Sequence, residues 1–155
     1  MAASAVPARP TVLVPDTCAY IHAASGRLSP AARALLGAAI QYHCAASLGE
    51  IAAGIGAMSP THRDYRRVRS HYAGLMGAIP AGRILVPNEQ DWLEAGLLAG
   101  AVARRQDFQA HQRKELLNDA LIYLCAARAG LPVLTNDDNF DLLQQAYPQG
   151  TVIFY

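Results

Sequence analysis

The chain has few cysteines and no long apolar run. Its three cysteines, Cys18, Cys44 and Cys125, show no Cys-x-x-Cys spacing, so neither a disulfide framework nor a zinc site is expected. Each lies in an apolar stretch, where reduced thiols fill a core. No run of about eighteen apolar residues occurs, and residues 1–10 lack the apolar segment of a signal peptide. We therefore expect a cytoplasmic protein with no membrane contact.

Charge of either sign is also scarce. The 155 residues carry 12 acidic and 13 basic side chains and a net charge of +1, so the overall field does not indicate a polyanionic partner. Several of the acids stand inside apolar segments, where a solvated carboxylate is not expected. With 52% hydrophobic residues, the chain can bury one core. We expect a flexible N-terminal tail at residues 1–10 and a single domain at residues 11–155.

Short apolar stretches that indicate strands alternate with stretches of helical character. Strands are predicted at residues 11–15, 41–46, 82–87, 132–135 and 151–154, with pairing of the first strand ending just before Pro15 because proline lacks an N–H donor. Helices are predicted at residues 18–24, 31–40, 47–57, 61–79, 89–105 and 139–147, and another opens near Asp119 and ends at Ala129. This alternation predicts an α/β fold with three layers, α/β/α, around a mainly parallel sheet of about five strands.

Four acids follow these predicted strands or begin the predicted helices: Asp16, Glu50, Asp119 and Asp137. The carboxyl ends of parallel strands share one edge of the sheet, so these side chains are expected to meet. Two carboxylates about 5 Å apart repel by roughly 3 kcal/mol at an effective dielectric near 20. Four together need a cation, and oxygen ligands of this kind favour Mg²⁺ or Mn²⁺.

Each acid also has a purely structural alternative. Asp16 could cap the helix that follows it, and Glu50 could complete a capping box with Ser47. Asp119 could complement the dipole at a helix start. Asp137 and Asp138 could be turn residues, and Asp138 could cap the helix that follows. No single acid decides between the two roles, so the prediction depends on all four falling at one edge.

The order of the motifs resembles the PIN domain, and within it the VapC-like ribonuclease toxins of bacterial toxin–antitoxin pairs. The motifs that carry the resemblance are VLVPDT at 12–17, SLGEI at 47–51 with Gly54, NDALI at 118–122 with AA at 126–127, and VLTND at 133–137 with Phe140. They span almost the whole chain. The sequence departs from the family at Pro15 and Cys18, where the family more often has an apolar residue and a small polar residue.

The resemblance implies a Mg²⁺-dependent (or Mn²⁺-dependent) endoribonuclease. Its catalytic and metal-binding residues would be Asp16, Glu50, Asp119 and Asp137, with Thr17 and Thr135 as supporting hydroxyls. It also implies an RNA substrate that is single-stranded or looped, an antitoxin protein as partner, and a homodimer.

Basic residues that could contact RNA form two groups: Arg63, Arg66 and Arg67, and Arg104, Arg105, His111, Arg113 and Lys114. Ordinary solvated helix faces are the alternative for both groups. Tyr65 and Tyr72 adjoin the first group and could stack on bases, although core packing is the expected role of both.

Three other functions compete with the nuclease. A phosphoacceptor domain that binds a metal also gathers acids at a sheet edge, but it needs a lysine after a late strand, and the one lysine, Lys114, precedes a helix. A haloacid-type phosphatase needs a second aspartate at the position of Cys18. A non-catalytic, PIN-like interaction domain would use its acids only as caps.

Overall fold

Residues 10–155 are described by the computed structural model. The tail predicted at residues 1–10 therefore lies outside the described residues, except for Pro10. The helices are α1 (Thr17–Ala24), α2 (Pro30–Ala38), α3 (Ala45–Ala57), α4 (Tyr65–Ala78), α5 (Glu89–Gln106), α6 (Ala110–Arg128) and α7 (Asn139–Ala146). The strands are β1 (Val12–Pro15), β2 (Ile40–Gln41), β3 (His43–Cys44), β4 (Ile84–Leu85), β5 (Val133–Thr135) and β6 (Val152–Phe154), and a short 3₁₀ helix spans Ala81–Arg83.

All pairing between the strands is parallel. Four strands form a sheet in the order β2-β1-β5-β6, and β3 and β4 form a separate ladder. Strands β2 and β3 are separated by Tyr42 alone, so one extended segment pairs first with β1 and then with β4. The predicted α/β fold with helices flanking a parallel sheet is confirmed. The single strand expected at 41–46 is wrong, because the segment divides between two ladders and enters α3 at Ala45.

Pro15 belongs to the paired part of β1, contrary to expectation. It is in register with Leu134, and the flanking N–H groups of Val14 and Asp16 donate to the carbonyls of Pro132 and Leu134 at 2.9 Å each. Alternate residues of a strand direct their backbone groups to opposite neighbours. The ring nitrogen of Pro15 therefore faces the β2 side, where pairing with β1 has already ended at Leu13, and no ladder bond is lost.

Three helices begin at positions that the sequence patterns did not predict. Helix α3 begins before Ser47, whose buried hydroxyl makes no cap, so the capping box considered as the structural alternative for Glu50 is wrong. Helix α4 begins at Tyr65 rather than Thr61. Helix α6 begins at Ala110, where a connection was expected, and Asp119 consequently lies in its middle rather than on its first turn. Helix α5 has a capping box, in which the Asn88 side chain accepts the Asp91 N–H at 2.9 Å and the Asp91 carboxylate accepts the Asn88 N–H at 2.8 Å.

Helix α6 runs through the centre of the core. Residues 119–126 are all buried, and a helix that is buried around its whole circumference needs neighbours on every side. Helices α5 and α7 pack against it together with β5. The fold therefore holds Asp119 in the middle of its most enclosed helix, where the buried stretch begins.

The cysteines are free thiols, as predicted, with Cys44 and Cys125 buried in the core and Cys18 half-buried. Within residues 10–155, none of the helices has the length and apolar character needed to span a bilayer.

The packing around Gly150 makes a test of this core. A methyl group at Gly150 would overlap the buried ring of Tyr123, which is fixed by a 2.6 Å hydrogen bond to the Tyr147 carbonyl. We expect Gly150→Ala to lower the free energy of unfolding by about 1–3 kcal/mol, measured by urea denaturation. Gly77→Ala is the control, since α4 has open space there and alanine favours a helix by up to about 1 kcal/mol. Equal effects of the two substitutions would contradict this packing.

Candidate active site

Asp16 lies where β1 passes into α1 and is only 3% exposed. One carboxylate oxygen accepts the Thr17 N–H at 2.6 Å. The other oxygen accepts the Cys18 thiol and the Thr135 hydroxyl, both at 2.9 Å. Burial raises the pKa of Asp16; the three hydrogen bonds oppose the rise, and the charge of Asp137 adds to it. Asp16 is therefore more than a helix cap, because its partners come from both α1 and β5.

Asp119 is a buried acid with a strongly raised pKa. It is 8% exposed, and its carboxylate accepts the Asn139 side-chain amide at 2.9 Å. Burial raises its pKa to about 8; the Asn139 bond opposes this, and the charges of Asp16, Asp137 and Glu50 raise the pKa further. The four predicted acids are thus brought together, since each of the other three acts electrostatically on Asp119.

Glu50 is held from two sides. Its carboxylate accepts the hydroxyl of Thr17 and, at 3.1 Å, the side-chain amide of Asn118. These donors belong to α1 and α6, whereas Glu50 belongs to α3. The Glu50 carboxylate therefore lies at the junction of α1, α3 and α6, and it does not cap α3.

Asp137 lies two residues beyond β5, in the turn before α7. Its N–H donates to the Thr135 hydroxyl at 3.0 Å, and its carboxylate accepts the Asn139 N–H at 2.9 Å. Asp138 occupies the N-cap position of α7, but its side chain makes no cap bond, so the cap considered as the structural alternative is wrong. The neighbouring Asp137 makes the local bond instead.

Neutral donors link the four acids into a connected network. Asn139 bridges two of them, since its side chain binds Asp119 and its backbone N–H binds Asp137. Asn118, which precedes Asp119, binds Glu50. Sequence reasoning assigned no role to either asparagine. The available signal was proximity along the chain, because each lies within two residues of an acid.

A second chain of hydrogen bonds reaches Asp16 through Cys18. The hydroxyl of Tyr155 donates to the Cys18 sulfur at 3.7 Å and lies 2.8 Å from Nδ1 of His22. Burial and the Asp16 charge raise the pKa of Cys18 to about 11. Cys18 is therefore a thiol at neutral pH, and it donates a hydrogen bond to the Asp16 carboxylate. This role was not predicted for Cys18, His22 or Tyr155.

The donor set fits a hard divalent cation. Within residues 10–155, ion pairs join Asp64 to Arg63 and Arg67, and Asp91 to Arg128, while none involves the four acids. Buried carboxylates without a basic partner are costly unless protonated or bound to a metal. Across the same residues, no three His, Cys, Asp or Glu side chains form a ready-made metal cage. The carboxylates accept hydrogen bonds from neighbouring protein groups instead.

A model of the PIN domain matches residues 13–145, a range that contains all four acids. The chain belongs to the PIN domain family. PIN domains share the parallel sheet and flanking helices seen here. No curated protein matches the chain.

Solved structures share the PIN fold at low identity. VapBC2 from Rickettsia felis, bound to a DNA fragment from its promoter, gives a TM-score of 0.65 at 12% identity over 94% of this chain and 99% of that chain. FitAcB from Neisseria gonorrhoeae gives 0.65 at 18% identity, covering 91% and 96%. VapBC-5 from Mycobacterium tuberculosis, of the VapBC family of toxin–antitoxin systems, gives 0.59 at 22% identity, covering 94% and 98%.

The raised pKa of Asp119 predicts how stability depends on pH. In the unfolded chain this carboxyl has its ordinary value of 3.8, whereas in the folded chain it keeps its proton to about pH 8. The folded state binds more protons between these values, so the free energy of unfolding of the metal-free protein falls as pH rises through that window. Asp119→Asn should flatten this dependence, measured by urea denaturation in a chelator at several pH values. Asp107→Asn, at an exposed position, is the control, and an equal slope in wild type and Asp119→Asn would refute the assignment.

Proposed function

We propose that this PIN domain is a Mg²⁺-dependent endoribonuclease, the toxin of a toxin–antitoxin pair, which hydrolyses RNA phosphodiester bonds. One observation carries the proposal: four acids from separate elements interact, two of them buried, and none has a basic partner among the described ion pairs. Such a group is suited to holding a divalent cation at a phosphate.

PIN-domain nucleases generally use a divalent metal. We assign Asp16 and Asp119 as direct ligands of Mg²⁺ or Mn²⁺, with Glu50 and Asp137 completing the site through water or a second ion. When bound, the metal would lower the pKa of a water molecule and neutralise charge on the phosphate oxygens.

The chain's own residues would orient these ligands. Thr17 and Asn118 hold the two oxygens of Glu50, which leaves that carboxylate fixed at the junction of three helices. Thr135 and Cys18 hold one oxygen of Asp16. Either Glu50 or Asp137, both half-buried, would accept a hydrogen bond from the attacking water and orient it.

The second basic group is the better candidate for RNA contact. His111 and Lys114 are exposed on α6, and they precede Asn118 by seven and four residues, which places all three on one helix face. In the first group, Arg63 and Arg67 are already paired with Asp64. Phosphates approaching along α6 would therefore meet free basic side chains immediately before the acids.

Loss of one acid should abolish cleavage without loss of the fold. We expect Asp119→Asn to reduce Mg²⁺-dependent cleavage of a mixed RNA pool to background, while the melting temperature of the metal-free protein stays equal or rises, because a neutral amide replaces a buried carboxyl whose charged form is unfavourable there. The exposed Asp138 makes no cap bond, so Asp138→Asn is the matched control and should cleave normally. Cleavage that persists in Asp119→Asn, or in a chelator, would refute the proposal.

A non-catalytic PIN-like interaction domain is the alternative function. The observation that favours it is the lack of a ready-made metal cage within residues 10–155. That domain would leave the RNA pool intact with or without Mg²⁺, and Asp119→Asn would change only its stability. The cleavage assay therefore separates the two functions.

We also propose an antitoxin protein as partner and a homodimer as the assembled form. The VapBC-5 structure comes from a toxin–antitoxin family. Leu93 and Leu97, 66% and 76% exposed on one face of α5, suit contact between two copies. Light scattering of the purified chain tests the dimer, and a mass of one chain at high concentration would refute it. Coexpression tests the partner, since the antitoxin should restore the growth of cells that produce this chain.

A further inference from the structure

A cavity of about 450 Å³ opens directly beside the candidate active site. Glu50 and Asn118 of the acid network line one part of it, and Trp92 and Val86 line another. This volume falls in the range of roughly 300–1,000 Å³ that small ligands occupy. A group held in this cavity would therefore touch both the acid network and Trp92.

The cavity is built to accept a flat apolar ring. Trp92 is the chain's one tryptophan, and it is 52% exposed near the start of α5. Apart from Glu50, the residues of α3 that line the cavity are small and leave space beside the indole: Ala45, Ala46, Gly49 and Ala53. An exposed aromatic ring next to small side chains can be covered by another ring without any rearrangement of the backbone.

The charge of the cavity favours a base over a phosphate. Glu50 is the one charged residue among those that line it, and Asn118 supplies an uncharged polar group. A phosphate would be repelled by the carboxylate, whereas a nucleobase is neutral and carries hydrogen-bonding edges. Every base has a π-face on which an aromatic side chain can stack.

We propose that Trp92 stacks on a nucleobase of single-stranded RNA adjacent to the phosphodiester at the acid network. This inference rests on the nuclease function proposed above and adds the position at which the substrate is gripped. Base stacking is thus assigned to Trp92 and not to Tyr65 or Tyr72, for which it was considered from the sequence. Tyr72 is only 9% exposed, and Tyr65 is bonded to Arg69 at 3.0 Å.

The single tryptophan makes the inference directly measurable. In the Asp119→Asn background, which is not expected to cut RNA, a short single-stranded oligoribonucleotide should quench the Trp92 fluorescence in a saturable way. An abasic oligonucleotide with the same backbone should bind without this quenching, because it offers phosphates but no ring. Quenching by both to the same extent, or by neither, would overturn the proposal.

Three substitutions in the same background test the contribution to affinity, measured by anisotropy of a labelled oligoribonucleotide. Trp92→Ala should weaken binding about five- to 150-fold, the range that corresponds to stacking worth roughly 1–3 kcal/mol. Trp92→Phe keeps a ring and should recover most of the affinity. Tyr65→Ala, an aromatic change away from the cavity, should leave binding within about twofold.

Failure of this inference is distinguishable from failure of the proposed function. If the wild type cleaves RNA and Trp92→Ala binds and cleaves RNA as well as wild type, Trp92 has no role in binding and only the inference is lost. If Trp92→Ala instead converts a dimer into a monomer without changing RNA affinity per chain, Trp92 belongs to a protein interface and the inference is again wrong. If the wild type does not cleave RNA at all, the proposed function itself fails.

Discussion

The candidate active site of this PIN domain depends on interactions that offset the free-energy cost of burying carboxylates close together. Asp16 and Asp119 lie almost out of solvent, and neither has a basic partner among the described ion pairs. Neutral donors stabilise them instead, since hydroxyl, thiol and amide groups each supply a hydrogen bond. These bonds offset only part of the cost of burial, because the pKa of both acids is still raised. A divalent cation would offset the rest.

The fold supplies this arrangement through connectivity. Parallel pairing of β1 with β5 brings Asp16 beside Thr135, and the central helix α6 carries Asn118 and Asp119 to the same edge. The network therefore needs every layer of the domain to be in place. It is a tertiary feature, and no local segment could form it alone.

The sequence was sufficient for the parts that follow from strand order. Acids that follow parallel strands share an edge of the sheet, and this argument correctly placed Asp16 and Asp137 together. Glu50 and Asp119 were also expected there and do interact, but Asp119 reaches the site from the middle of α6 rather than from the predicted first turn. Cap signals were less reliable, because Ser47 and Glu50 match a capping box while the helix begins earlier. The bonds that Asn139 makes to Asp119 and Tyr155 makes to Cys18 were not predicted, since each joins residues that are distant in sequence.

Metal binding coupled to proton release tests the central claim most directly. Calorimetric titration of Mn²⁺ at about pH 7, in buffers of different ionisation enthalpy, measures both quantities at once. The account predicts saturable binding that releases protons, because Asp119 keeps its proton at this pH until a cation displaces it. Absence of binding, or binding with no proton released, would contradict it.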